Sequence, residues 1–183
     1  MERVVPDLIG AAAARLPVPE GQYAILSPEA EDAQDSIPDT GEVAATGLFA
    51  AGTDGALVIT GTDQGDIGIR VELWSGAPAA DDSAWEDIVE DSYTATGTAH
   101  VQNVEGRPAG LPDLAWSGPG TYRIRVSVRG RDLGADDDGT DAGPTDPVEE
   151  HLIQVWPAPP APPHALKLSD ELGETWRREA AEG

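Results

Sequence analysis

The chain has 183 residues, no cysteine and a formal net charge of −23. Its length predicts one domain with appended ends, and the lack of cysteine excludes disulfides, thiolate nucleophiles and cysteine zinc sites. No apolar run reaches the roughly 18 residues of a membrane span, and the broken apolar run at the start is a poor signal peptide, so we expect a cytoplasmic protein.

The acidity is the strongest compositional signal. Thirty-four acidic residues face eleven basic ones. Such a surface repels nucleic acid and anionic lipid and attracts basic partners. Solubility, adaptation to salt or a GC-rich genome explains the same composition, and the sequence leaves both interpretations open.

The first forty residues predict a helix, a strand and a loop. Residues 7–16 follow Pro6 and favour a short helix, so we assign residues 1–20 to an N-terminal helix and linker. Residues 21–28 predict a first strand. Residues 29–42 contain six carboxylates and no base, which is typical of a solvated loop.

Short apolar segments separated by glycine and aspartate follow. No helix of ordinary length interrupts them, so the sequence predicts an all-β protein, an antiparallel β-sandwich of about seven or eight strands over residues 21–156. Besides the first, the strands are expected at residues 42–52, 55–62, 66–74, 84–95, 97–104, 121–132 and 149–156.

Residues 157–183 predict a polyproline strap followed by a C-terminal helix. The run PAPPAPP at residues 157–163 lacks most N–H donors and fixes φ, so it must leave the sheet as an extended segment. Ser169 is the expected N-cap of the helix. A ligand for an SH3-type domain is the alternative to a rigid strap.

The segment 121–132 carries a stripe of arginines. Arg123, Arg125 and Arg129 alternate with inward-facing apolar residues, and Arg131 joins them if no bulge forms at Gly130. Guanidinium groups bind carboxylate or phosphate, so the stripe could dock an anionic partner. The alternative is cross-strand pairing with acids such as Glu72, Glu149 and Glu150.

No pattern indicates a catalytic, cofactor or metal site. Residues 132–146 contain six aspartates but lack EF-hand spacing, so a solvated hairpin tip is expected and a calcium site is the alternative. His100, His151 and His164 lie far apart, and we expect the first two on strand surfaces. No nucleophile elbow or phosphate-binding glycine pattern occurs, so the sequence predicts a protein that is not an enzyme.

Five tryptophans carry most of the aromatic area. We expect Trp156 and Trp176 to be buried. Trp74, Trp85 and Trp116 lie beside loops, where they could cap the core or serve as exposed anchors for a partner or a sugar.

Three segments resemble a known family. WEDIVEDSY (85–93), GPGTYRIRVSVRGRD (118–132) and EEHLIQVWPAPPAPP (149–163) resemble an uncharacterised family of actinobacterial cytoplasmic proteins. That family is distantly similar to the competence protein J, or nuclease-inhibitor, group of small β-sandwich proteins. The resemblance implies a non-enzymatic protein that binds and blocks a nuclease.

We therefore expect an acidic inhibitor or immunity-type module with a basic protein partner, such as a nuclease or toxin, and no direct binding to nucleic acid or membrane. Loops 29–42 and 132–146 supply carboxylates. One alternative is a β-sandwich that binds a small ligand or carbohydrate, with calcium; another is an assembly subunit that associates through a sheet edge. The expected partner contacts are Asp81, Asp82, Trp85, Glu86, Asp87, Glu90, Asp91, Arg123, Arg125 and Arg129.

Overall fold

A computed structural model describes residues 4–103, 105–106, 110–137 and 146–183. These residues form ten strands, three α-helices and a short 3-10 helix. None of these helices is long and apolar enough to cross a membrane. In chain order the elements are β1 (Leu8–Val18), β2 (Gln22–Leu26), the 3-10 helix (Ala33–Ser36), α1 (Thr40–Ala44), β3 (Phe49–Ala51), β4 (Gly55–Ile59), β5 (Gly65–Trp74), β6 (Asp87–Ala95), β7 (His100–Asn103), β8 (Gly120–Arg129), α2 (Arg131–Asp136), β9 (Glu150–Pro157), β10 (His164–Lys167) and α3 (Glu171–Glu182).

The strands form two sheets. The large sheet has the order β1-β5-β9-β8-β6-β10, and the small sheet has the order β3-β4-β2-β7. The prediction of an all-β protein is confirmed in outline. An entirely antiparallel arrangement is wrong, because the β8–β9 hairpin inserts between β5 and β6 and places β9 parallel to β5.

One hydrophobic core joins the two sheets. In β5 the alternating residues Ile67 and Val71 point inward and are fully buried, as the sequence predicts. Tyr23, Ile25 and Val58 of the small sheet belong to the same cluster. Each such aliphatic side chain contributes about 1.5–3 kcal/mol when fully buried, so this interface is the main source of stability.

The predicted N-terminal helix is wrong. Residues 8–18 form strand β1, which pairs antiparallel with β5. Alanine favours a helix, but so short a helix is marginal alone, whereas pairing with β5 also buries Leu16 and Val18. The boundaries at residues 20 and 156 stay a prediction, although both flanking segments contribute a strand to the large sheet.

The predicted strand over residues 42–52 is also partly wrong. Its first residues form α1, whose N-cap Asp39 accepts a hydrogen bond from the Glu42 amide at 2.9 Å. Thr46 then caps the turn by donating to the Phe49 carbonyl at 2.9 Å. The remainder, β3, pairs with β4.

The chain after β9 crosses the outer face of the large sheet and returns as β10, which pairs antiparallel with β6 at the far edge. The C-terminal helix α3 follows, as predicted. Its N-cap is Asp170 rather than Ser169, because Asp170 accepts from the Gly173 amide at 2.7 Å. Ser169 instead donates its hydroxyl to the Glu86 carbonyl at 2.5 Å.

Candidate protein-binding surface

The arginines of β8 point to the outer face of the large sheet, where two of them share an ion pair with Glu90 of β6. Nε of Arg125 lies 2.8 Å from Oε1 of Glu90, and Nε of Arg123 lies 3.4 Å from Oε2. Arg123 and Arg125 are only 6% and 5% exposed. Buried, paired guanidinium groups are not free to dock an anionic partner.

The same arginines fasten two connecting segments onto the sheet. Arg123 donates to the carbonyls of Ala161 and Pro162, at 2.8 Å each, and so holds the proline-rich strap. Arg125 donates to the carbonyl of Pro78 at 3.0 Å and lies 5.1 Å from the Trp156 ring. Backbone carbonyls of extended segments need donors, and the five N–H groups of arginine supply them.

Arg129 stays exposed at the end of the stripe. It donates to Glu150 at 2.7 Å, as cross-strand pairing predicts, and lies 5.0 Å from the Trp85 ring. Of the other two predicted acid partners, Glu72 binds Arg70 instead, at 2.9 Å, and Glu149 lies inside the protein. The predicted cross-strand pairing is therefore correct for Arg129, which pairs with Glu150. Arg123 and Arg125 also pair across strands, but with Glu90, which the sequence did not indicate.

The acids of residues 81–91 divide into exposed and buried groups. Asp87 accepts from the Ser169 and Asp170 amides at 2.6 and 2.9 Å. Asp91 accepts from the Ala51 amide at 2.9 Å. Burial raises the pKa of Asp87 and Asp91 and outweighs these hydrogen bonds, which favour the charged form.

The predicted contact residues thus fall in different environments. Asp87, Asp91, Arg123 and Arg125 are buried, and Glu90 is half-buried between the two arginines. Partner contact by the accessible members stays a prediction. Those accessible members are Asp81, Asp82, Trp85, Glu86 and Arg129.

Arg131 does not extend the stripe, because Gly130 adopts φ 80° and turns the chain into α2. Its guanidinium group is fully buried; Nε lies 2.6 Å from Oδ2 of Asp170, and Nη2 lies 3.3 Å from Oδ2 of Asp87. It also donates to the Gly47 carbonyl at 2.8 Å. Arg131 therefore joins α3 to both sheets, a role that the sequence pattern did not indicate.

His151 is buried, so the prediction that it lies on a strand surface is wrong. Its Nε2 lies 2.7 Å from Oε1 of Glu149, and its Nδ1 lies 2.9 Å from the Tyr23 hydroxyl. Burial acts to raise the pKa of Glu149, but hydrogen bonds from His151 and Thr62 outweigh it and lower that pKa. These hydrogen bonds are buried and link β2 of the small sheet to β9 of the large sheet.

The outer face of the small sheet is covered by a helical layer made of the 3-10 helix, α1 and α3. Val43, Leu57 and Ile59 form a second apolar cluster there, and Ile37 and Trp176 pack against it. Trp156 is buried, as predicted, and Trp176 is half-buried. Trp74, Trp85 and Trp116, for which the sequence left two interpretations open, are also half-buried.

This helical layer and the segment that leads into it carry exposed carboxylates with few cations. Among the described residues there, Arg178 is the one exposed base, while Arg177 is half-buried and donates to the Thr46 carbonyl at 3.0 Å. We call the ten exposed carboxylates the acidic layer: Glu29, Glu31, Asp32, Asp35, Asp39, Glu42, Glu171, Glu174, Glu179 and Glu182.

A cleft of about 270 Å³ opens between the acidic layer and the small sheet. Ala24, Leu26 and Leu57 line its sheet side, and Ile37 and Asp39 belong to the segment on the other side. An apolar floor beside a carboxylate suits a side chain with an aliphatic stem and a cationic head.

Metal binding finds no support in the part of the chain that the structure describes. No three acidic or histidine side chains there are grouped as a metal ion needs. Residues 138–145, most of the predicted hairpin tip, lie outside the described residues. The alternative of a calcium site in the loop 132–146 therefore stays a prediction.

Comparison with known proteins supports the fold. No family model and no curated protein matches the chain. One similar solved structure is ComJ, inhibitor of the DNA degrading activity of NucA, from Bacillus subtilis, with 12% identity, 85% of this chain and 100% of that chain covered, and a TM-score of 0.55. Another is described as crocagin biosynthetic gene J, with 17% identity, 82% and 100% coverage, and a TM-score of 0.49. The likeness to ComJ is one of fold, and the resemblance to an actinobacterial family stays a prediction.

Proposed function

We propose that this protein is a cytoplasmic, non-enzymatic binding module that blocks a basic protein, of the nuclease class, through the acidic layer. The observation that carries the proposal is the set of ten exposed carboxylates with one exposed base among them in the described residues. The fold supports it, because ComJ, which shares that fold, inhibits the DNA degrading activity of NucA.

The physical basis is competition for a surface that reads phosphates. A nuclease presents basic groups to nucleic acid, and a rigid array of carboxylates offers those groups an alternative polyanion. Opposite charges also accelerate the encounter by steering the two proteins together. The binding module then needs no chemistry of its own, which agrees with the absence of a catalytic motif in the sequence.

The cleft beside Asp39 supplies an anchor point for the partner. A lysine or arginine of the partner can lay its aliphatic stem in the cleft against Ile37 and leave its cation at Asp39. Binding energy in protein interfaces concentrates in such central, desolvated positions, while surrounding charges mainly set the association rate. The acidic layer therefore attracts the partner, and the cleft holds it.

A capture experiment with two matched variants tests the proposal. One variant carries Glu31→Gln, Asp32→Asn and Asp35→Asn in the acidic layer. The other, the turn variant, carries Glu20→Gln in the turn from β1 to β2, Asp63→Asn in the turn from β4 to β5, and Asp66→Asn at the start of β5, where the acids are also exposed. Each protein is immobilised, and the proteins that it retains from the source lysate are identified and assayed for nuclease activity.

We expect the wild type and the turn variant to retain a basic protein with nuclease activity, and to inhibit that activity. The acidic-layer variant should retain less of it, since it loses three charges at the interface. Retention should also fall steeply between about 0.1 M and about 1 M NaCl, as the screening length shrinks from about 10 Å to about 3 Å. The proposal is contradicted if both variants retain equally less of the basic protein, or if retention does not change with salt concentration.

A second candidate function rests on a different cleft. A groove of about 440 Å³ lies between Trp74, Pro78 and Gln154 on one side and Val4 and Val5 on the other. A half-buried tryptophan ring at the edge of a groove can stack against the apolar face of a sugar. Calorimetry against a glycan panel tests this function, and a heat of binding that Trp74→Ala abolishes would favour it over the binding of a basic protein.

A further inference from the structure

Strand β1 is a long, unpaired edge of the large sheet. It spans eleven residues and pairs with β5 on one side, and no other strand among the described residues pairs with it. The other described edges are short: β3 has three residues, and β7 and β10 have four each. An edge strand exposes a row of N–H and C=O groups that can pair with another chain.

The usual protections against edge pairing are weak in β1. Charged side chains, prolines and bulges normally prevent it. The bulge in β1 lies at its beginning, between Leu8 and Gly10, and Pro17 lies near its end, so the alanines between them form a regular stretch. Half of the large apolar side chains exposed in the described residues lie in or just before β1: Val4 (87% exposed), Val5 (79%), Leu8 (47%) and Ile9 (49%).

The charge pattern of this edge favours a second copy of the same chain. The sequence between Asp7 and Glu20 has one ionisable side chain, Arg15, although the protein carries a net charge of −23. In a two-fold antiparallel pairing, the Arg15 end of each strand approaches the Asp7 end of the other. Arg15 makes an exposed ion pair with Asp146 at 2.9 Å, and such exposed pairs contribute about 0–1 kcal/mol.

We propose that two copies of this chain associate through β1, antiparallel, so that their two large sheets become one continuous sheet. Pairing satisfies the open backbone groups and covers Leu8 and Ile9 of both copies. Two-fold symmetry closes the assembly, because each subunit has one such edge and the pairing uses it up. The acidic layer lies over the other sheet and stays free in this dimer.

The dimer should respond to salt in the opposite way from binding of a basic partner. Two strongly acidic bodies repel each other, and this repulsion weakens as salt shortens the screening length. Dimerisation should therefore strengthen from about 0.1 M to about 1 M NaCl, while capture of a basic protein weakens over the same range. This difference separates failure of one proposal from failure of the other.

Sedimentation velocity over a concentration series at both salt levels tests the proposal on the full chain. The test variant carries Ala11→Glu and Ala13→Glu. In the dimer these substitutions bring four carboxylates together near the two-fold axis, where the two β1 strands lie side by side. The control carries Ala135→Glu and Ala181→Glu, at exposed positions of α2 and α3. We expect the test variant to dimerise about tenfold more weakly or worse, since like charges facing across strands are destabilising, and the control to behave as wild type.

Hydrogen exchange of the wild type gives a second measurement that does not depend on a variant folding. The amides of residues 10–16 should exchange more slowly as the dimer fraction rises, while those of β7 should not change. A wild type that stays monomeric at both salt levels overturns the proposal. A dimer that the test variant leaves intact, or a dimer without protection of β1, overturns it as well.

Discussion

Charged side chains are paired on the outer face of the large sheet, whereas those of the acidic layer over the small sheet are mostly exposed carboxylates. On the large sheet, Arg123 and Arg125 share Glu90, and Arg129 binds Glu150. In the acidic layer, ten carboxylates are exposed to solvent. The comparison indicates that this protein uses paired charges on the large sheet to hold its own segments in place, and leaves the carboxylates of the acidic layer exposed to solvent.

Backbone geometry explains the difference. The strap and the loop before β6 cross the large sheet in extended form, so their carbonyls need donors, which the arginines supply. In the acidic layer, the 12-residue helix α3 satisfies most of its backbone groups by hydrogen bonds within the helix, so few basic side chains are needed there. Substitutions that remove charge should therefore lower stability on the first side and leave it nearly unchanged on the second.

The largest expected effect is that of Arg131→Met. The substitution leaves Asp87 and Asp170 buried without their common cation, which costs about 3–5 kcal/mol of unfolding free energy. Urea denaturation measures the loss. Arg178→Met, at an exposed position of α3, is the control and should change stability by less than about 0.5 kcal/mol. Similar losses in both variants would show that the buried cluster does not anchor α3.

The next effect is that of Arg123→Met, which should release the strap. The Pro162 carbonyl loses its arginine donor, and the Ala161 carbonyl retains the Ser92 hydroxyl. We expect a loss of about 2 kcal/mol in the free energy of unfolding, together with faster amide exchange in β10. Arg70→Met removes an exposed arginine from the same face and serves as the control. Unchanged exchange in residues 164–167 would mean that β10 holds the strap without Arg123.

A smaller effect, dependent on pH, is expected from Glu149→Gln. Because the folded state lowers the pKa of Glu149 below its ordinary 4.5, its charge adds stability above that value. This contribution disappears as the pH falls through the lowered pKa. The variant should thus be less stable than wild type at neutral pH, by about 1 kcal/mol, and the difference should narrow below pH 4.5.

Unfolding free energies across a pH series measure this narrowing. Glu150→Gln, one residue along β9, is the control, since it removes a charge from the half-exposed pair with Arg129. A difference between wild type and Glu149→Gln that stays constant from neutral to acid pH would show that the charge of Glu149 contributes nothing, and that only its packing matters.

The sequence predicts the parts of this fold that follow local patterns. The alternation of apolar and polar residues in β5 and β8 predicts both strands, and it correctly places Arg123 and Arg125 on the face opposite the core. It could not identify their partners, because Glu90 precedes Arg125 by 35 residues and strand order decides which carboxylate lies opposite. The Tyr23–His151 contact spans 128 residues and was missed for the same reason.

The helix predicted for residues 7–16 failed because a tertiary contact outweighed a local preference. Alanine has the highest helix propensity, and nothing in the segment itself shows that β5 offers an unpaired edge. The sequence predicts one half of the acidic layer, because residues 29–42 contain six carboxylates and no base. Its union with α3 depends on Trp176 packing against the Val43 cluster. The sequence predicts that Trp176 packs inward but does not identify the residues that it contacts.

The smallest expected effect concerns the acidic layer itself. Glu31→Gln, Asp32→Asn and Asp35→Asn together should change the unfolding free energy by no more than about 0.5 kcal/mol, and towards greater stability at low salt, because they relieve repulsion between neighbouring carboxylates. Denaturation at about 0.1 M and about 1 M NaCl measures the change, which should vanish at the higher salt. A loss of stability would mean that these carboxylates support the fold. The acidic layer would then not differ from the large sheet in the way that its charges contribute to stability.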